Sequence, residues 1–275
     1  MATASIAAAL ASKPVRERVA RFLPLDPDNP VHAFALVLAV IFFGTQVSIV
    51  AFTSLAISSQ ATIGVGDLIA TEVGFLILAA AGVGLFMRRN ASQTAARLGL
   101  VRPAWWHVAL GVAAAGVFFA FGVALDDLSR TLTPDLYRQV HSNTNQLFGG
   151  LVSGPVGIAA IALAPGICEE VFFRGALQPR FGLIATSLLF ASFHTQYGLS
   201  FDTLSVFVIA LGLGSIRKFT NTTTSAISHA AYNLLVAVGI ADSNLYMAVA
   251  IDLVLMAAAA YGIWSLRRRQ AKAAD

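Results

Sequence analysis

Apolar runs long enough to cross a bilayer recur along almost the whole chain. A helical span needs roughly 17–25 mostly apolar residues. Windows of that kind fall at about 32–58, 67–87, 104–125, 154–178, 181–198, 200–216, 222–240 and 245–266. The windows at 181–198 and 200–216 are the least separated, because the link between them is short and weakly polar. Composition excludes the soluble alternative. Of the 275 residues 57% are hydrophobic and 12% charged, where a soluble domain has about 45–50% and 25%. One core cannot hide that excess. In lipid the backbone must satisfy its own hydrogen bonds, which helices do. The expected fold is therefore all-α, a polytopic membrane protein of about eight transmembrane helices.

Charge sets the orientation. With eight spans and the N-terminus inside, every one of the 18 Lys and Arg except Arg130 and Arg138 falls on the inner side. That is the positive-inside pattern, and dropping one helix would scramble it. Both termini are expected in the cytoplasm. The net charge of +4 then reports orientation, not nucleic-acid binding. Residues 1–30 read as a cytoplasmic or interfacial segment, since the basic cluster Lys13, Arg16, Arg18 and Arg21 follows the Ala-rich start, unlike a signal peptide. Residues 31–270 read as one transmembrane domain. The stretch 126–150, with Asp126, Asp127 and Asp135, is expected to be the one long polar loop. Compactness and the lack of organellar signals suggest a multi-pass protein of a prokaryotic plasma membrane.

Within this apolar chain, APGICEEVFFRGAL (164–177) carries two adjacent glutamates and an arginine. Ionised groups at that depth are expensive and are kept for a purpose. Arg180 and Lys218 should mark the cytoplasmic surface. Glu169 lies 11 residues before Arg180 and His229 lies 11 after Lys218, each about 16 Å deep at 1.5 Å per residue. His194 and Asn233 fall at about 21–22 Å by the same rise. Polar groups of three spans thus share one level, which suggests that they meet. Glu170 and Arg174 are i, i+4 and can pair, while Glu169 points about 100° away. His229 and Asn233 share a face, and Phe190 can stack beneath His194 and wall the site.

These residues carry a family resemblance. EEVFFRG (169–175) fits EExxxR, FASFH (190–194) fits FxxxH and HAAYN (229–233) fits HxxxN. All three, in this order, resemble the CPBP family of CAAX prenyl endopeptidases and bacteriocin-processing intramembrane proteases. The resemblance covers about 150–240, the expected catalytic core. It implies an intramembrane endopeptidase in which Glu169 activates water, His194 helps to orient it, and His229 with Asn233 stabilises the oxyanion. Glu170, Arg174 and Phe190 would support them. The implied partners are the lipid bilayer and a membrane-anchored peptide or protein: a prenylated CAAX end, a bacteriocin leader or a C-terminal sorting tail.

Physical chemistry allows that role. Peptide hydrolysis needs a nucleophilic water, a base and oxyanion donors. Glu169, His194 and His229 could alternatively hold Zn²⁺. No HExxH is present, so a mechanism requiring no cofactor is placed ahead of the zinc one. Two other classes compete. A proton- or ion-coupled transporter would use the same groups as a relay, and broken helices at Pro165-Gly166 or Gly212–Gly214 in matching halves would favour it. A catalytically silent immunity or scaffold relative is the third reading.

Other signals are weighed as structural. GVGD (64–67) resembles an aspartyl-protease motif, but 32–58 holds no second aspartate, so it reads as a turn and helix start with Asp67 near the cap. No GxSG-type serine sits in a span. Cys168, the single cysteine, reads as a small buried residue. Glu72 and Asp252 read as span-end or helix-contact residues. Asn221 matches a glycosylation site on the inner side and is discounted. Trp105 and Trp106 suit an interfacial belt, and RRRQAK (267–272) a topology anchor.

Overall fold

The computed structural model describes residues 2–52, 62–241 and 244–272, and no strand occurs among them. The helices are α1 (Ala2–Leu10), α2 (Lys13–Val19), α3 (Pro30–Phe52), α4 (Val65–Gly82), α5 (Ala91–Arg97), α6 (Trp105–Leu132) and α7 (Pro134–Val152). Then come α8 (Pro155–Glu169), a π-helix at Glu170–Leu177, α9 (Gln178–Ser192), a 3-10 turn at Thr195–Tyr197, α10 (Phe201–Phe219), α11 (Thr222–Val238) and α12 (Leu245–Lys272). The contacts divide into two compact units. One is Met1–Thr62, Leu125–Leu147 and Leu177–Gly212, and the other Ile63–Ala124, Phe148–Ala176 and Leu213–Asp275. Their segments alternate, so no single boundary in the sequence separates them.

In the first unit, α3 packs against α1 and α9. Leu10, Leu36 and Phe181 form its buried centre. Gly44 lies so close to Thr3 that a Cβ would overlap the Thr3 side chain. Small residues permit this approach of helix to helix, and they dock the Ala-rich start of the chain along a candidate span.

In the second unit, α8 lies between α4 and α11. Gly166 faces the Ala230 backbone, where a Cβ would come within 2.7 Å. Phe75 of α4 packs its ring against Phe172 and Phe173, with centroids at 5.1 and 5.8 Å. Leu98, Ala79, Val83 and Val171 close this end of the core. α12 meets α6 where Trp106 covers Gly262 and Asp252 faces Gly116, so Asp252 is a helix-contact residue.

Among the described residues, five segments are long and apolar enough to cross a membrane: Pro30–Ile49, Val65–Gly82, Trp105–Leu132, Pro155–Ser192 and Leu245–Gln270. The eight-span count is not reached on that measure. The windows 154–178 and 181–198 share the segment Pro155–Ser192, bent at Gly182, whose φ of 77° only glycine adopts without strain. The windows 200–216 and 222–240 are helical but more polar. The end of the first window, 53–58, lies outside the described residues. The expected polar loop at 126–150 is also revised: α6 runs on to Leu132, and α7 follows with Val140 and Leu151 buried on one face. Pro165 and Gly212–Gly214 do not break their helices. Asp67 caps α4 as expected, its carboxylate accepting from the Gly64 N–H at 3.1 Å.

Candidate active site

The second unit gathers Glu169, Glu170, Arg174, His229 and Asn233 onto α8, the π-helix and α11. The helix widens where the first motif begins, a feature frequent at functional sites. Its backbone is braced from outside: Arg217 Nε donates to the Arg174 carbonyl at 3.0 Å, and Arg97 to the Gly175 carbonyl at 3.3 Å. Gly175 is needed there, because a Cβ would sit 2.8 Å from the Leu98 carbonyl oxygen. Thr222, at the start of α11, donates to the same carbonyl at 2.6 Å. Asn221 caps α11 by accepting from the Thr224 N–H at 2.8 Å, a structural role for the residue whose glycosylation match was discounted.

Glu170 and Arg174 are both fully buried and pair at 3.4 Å. Glu170 has two further partners. Ser225 donates its hydroxyl to Oε2, and the His229 Nδ1 lies 3.1 Å from Oε1. A carboxylate only accepts, so Nδ1 carries the hydrogen. The other ring nitrogen, Nε2, lies 4.0 Å from Glu169 Oε2. That oxygen is buried and has no hydrogen-bond partner. His229 therefore stands between adjacent glutamates, one anchoring the ring and one facing its other edge. Asn233 donates to the Ile161 carbonyl on α8 at 3.3 Å.

His194 and Phe190 belong to the first unit. The His194 Nδ1 is 3.1 Å from the Phe190 carbonyl, which can only accept, so Nδ1 carries a hydrogen. Phe190 packs on it with ring centroids 4.9 Å apart, and Tyr197 stacks at 6.1 Å. His194 lies on the wall of a cavity of about 410 Å³, whose other walls include Phe43, Val47, Leu188, Leu204 and Phe207. The cavity is apolar enough to take a hydrocarbon group.

One participant was not singled out from sequence, and one residue was placed otherwise. Ser225, in the polar run TTTSAIS, fixes Glu170. Glu72 is not at a span end: it lies in the middle of α4, only 4% exposed, with Oε2 unpartnered. A charged residue inside an apolar window was the available signal for it. Cys168 is buried beside Glu169, as a small core residue would be.

A helical membrane protein with a buried glutamate–histidine centre is the class these features define. The family model for "Type II CAAX prenyl endopeptidase Rce1-like" matches residues 152–235. That segment matches an Rce1-like domain of the CPBP family, and it holds every site residue named above except the cavity residues Phe43 and Val47, Glu72, Arg97 and Leu98. No curated protein and no solved structure matches the chain.

Proposed function

We propose that the chain is an intramembrane endopeptidase that hydrolyses a peptide bond of a membrane-associated protein or peptide. The observation that carries this reading is the placement of His229 between Glu170 and Glu169, inside the segment that matches the protease family. A gap of 4.0 Å is too long for a hydrogen bond. It is of a size to face the two oxygens of one tetrahedral carbon. Glu169 would take the proton of a water as its oxygen attacks the scissile carbonyl carbon, and would return a proton to the departing amine as the C–N bond breaks. His229 would give its Nε2 hydrogen to the developing oxyanion. Its Nδ1 hydrogen is committed to the Glu170 carboxylate, which stands behind the ring. The second amide hydrogen of Asn233 would join it. His194 enters through its motif, with an Nε2 suited to accept from the water.

Glu169 and His229, with His194, also suit Zn²⁺ by donor type. Glu170 behind the ring is the kind of carboxylate that orients a ligating histidine. Zinc bound there would supply an acidified water. The metal-free route is preferred for want of an HExxH pair.

The topology proposed is eight crossings with both termini cytoplasmic. α11, at 17 residues, is short for a crossing, and its polar residues Thr222, Thr224, Ser225 and Ser228 face inward and are buried. The charges of α10, Asp202, Arg217 and Lys218, lie at its two ends. The family description points first to a substrate with a prenylated C-terminal cysteine. The test is cleavage by purified protein of prenylated and unprenylated membrane-anchored peptides, with and without a zinc chelator. Cleavage that survives chelation supports the glutamate route. Cleavage abolished by chelation and restored by Zn²⁺ would overturn it in favour of a metalloprotease.

A further inference from the structure

Three side chains from three helices converge in the first unit, far along the chain from the glutamates. Asp126 lies near the end of α6, His141 is in α7, and Asp202 opens α10. One donor atom of each lies within 4.8 Å of the other two. The His141 Nε2 is 2.8 Å from Asp126 Oδ1. All three are half-buried, so they can close on an ion without crossing the core.

Charge pairing marks this group off from its neighbours. Asp127 and Asp135, on the same two helices, are each matched by an arginine three residues on, Arg130 and Arg138. Among the described residues neither Asp126 nor Asp202 pairs with a lysine or arginine. Two carboxylates are thus turned toward one imidazole with no basic side chain to neutralise them. The outer oxygens of both are held by hydroxyls. Tyr137 donates to Asp126 Oδ2 at 3.4 Å, and Ser200 to Asp202 Oδ2 at 3.1 Å. The Tyr137 ring also packs against His141, with centroids 4.1 Å apart. This is the arrangement in which second partners orient the ligands of a metal.

We propose that Asp126, His141 and Asp202 bind a divalent transition-metal cation that ties α6 and α7 to the start of α10. Two carboxylate oxygens and one imidazole nitrogen suit Zn²⁺, with water completing the shell. The His141 ring then carries its hydrogen on Nδ1, leaving the Nε2 lone pair to the ion. Asp202 follows His194 by the short stretch 195–201, so the cation would also brace the segment that presents His194.

The experiment is a ZnCl₂ titration of the full-length protein in detergent after treatment with a chelator. Calorimetry reports binding and thermal unfolding reports the clip. The wild type should bind Zn²⁺ saturably and melt at a higher temperature with it. Asp202→Asn and His141→Ala should weaken binding at least ~100-fold, and Tyr137→Phe, which removes only an orienting hydroxyl, by ~10-fold. Asp202→Asn removes one of two facing like charges, so its melting temperature without metal should equal or exceed that of the wild type, showing that it folds. Glu169→Gln should bind as the wild type does, which separates this site from the proposed hydrolytic one. The absence of saturable binding in the wild type would overturn the proposal. So would equal binding by wild type and Asp202→Asn.

Discussion

Asn233 stands in for the backbone hydrogen that Pro165 lacks. In an α-helix residue 165 would donate its N–H to the carbonyl of residue 161, and proline has none to give. That carbonyl belongs to Ile161, and the Asn233 amide donates to it across the α8–α11 contact at 3.3 Å. One residue on, Gly166 lets the Ala230 backbone approach. The pair Pro165-Gly166 thus supplies α11 with both a hydrogen-bond acceptor and room.

Removing the Asn233 side-chain amide by Asn233→Leu should destabilise the protein by about 1–2 kcal/mol, because a carbonyl inside the bundle loses its donor. Pro165→Ala restores an N–H at that carbonyl, so the loss should shrink in the Pro165→Ala background. Unfolding in detergent, run as a double-mutant cycle, reads the coupling. Strict additivity of the two changes would refute the link.

The closeness of α8 and α11 makes its own prediction. Gly166→Val should destabilise by about 1–3 kcal/mol through overpacking, since even a Cβ comes within 2.7 Å of the Ala230 backbone. Gly66→Val, where a Cβ meets nothing within 4 Å, should be close to neutral. Equal melting temperatures for the two variants would mean that the helices are not in tight contact.

Glu170 and Arg174 form a wholly buried ion pair, and breaking such a pair costs about 3–5 kcal/mol, while replacing both members is milder. Glu170→Gln should accordingly lower stability at least as much as turnover, and Arg174→Met likewise. The double variant should be more stable than the worse of the two single variants. A Glu170→Gln protein with wild-type stability and no turnover would move Glu170 from an anchor to a catalytic group.

Much of this arrangement was legible in the sequence because charge inside an apolar run is rare and costly. Glu170 and Arg174 announced their pairing by spacing, and Asp67 its cap by following Gly64. Other features left weaker traces. The π-helix is held by Arg97 and Arg217, which in the sequence look like two more inner-face charges. α7 looked like a loop because its average is polar. Its apolar residues Leu136, Val140, Leu147 and Leu151 nevertheless fall on one helical stripe. The bend at Gly182 depends on a positive φ that any of the 22 glycines could have adopted. Both glutamates turned to one imidazole is a tertiary outcome that the expected 100° separation did not foresee, since it needs α11 to approach the widened turn.

The most direct test of the central claim compares wild type with Glu169→Gln on a membrane-anchored peptide that the wild type cleaves. The substitution keeps size and shape but removes the base. The expected result is loss of cleavage by at least ~100-fold, in line with the usual contribution of a general base, with an unchanged melting temperature. Cleavage by Glu169→Gln at the wild-type rate would contradict the account, and so would unfolding of the variant, which would place Glu169 among the residues that hold the bundle together.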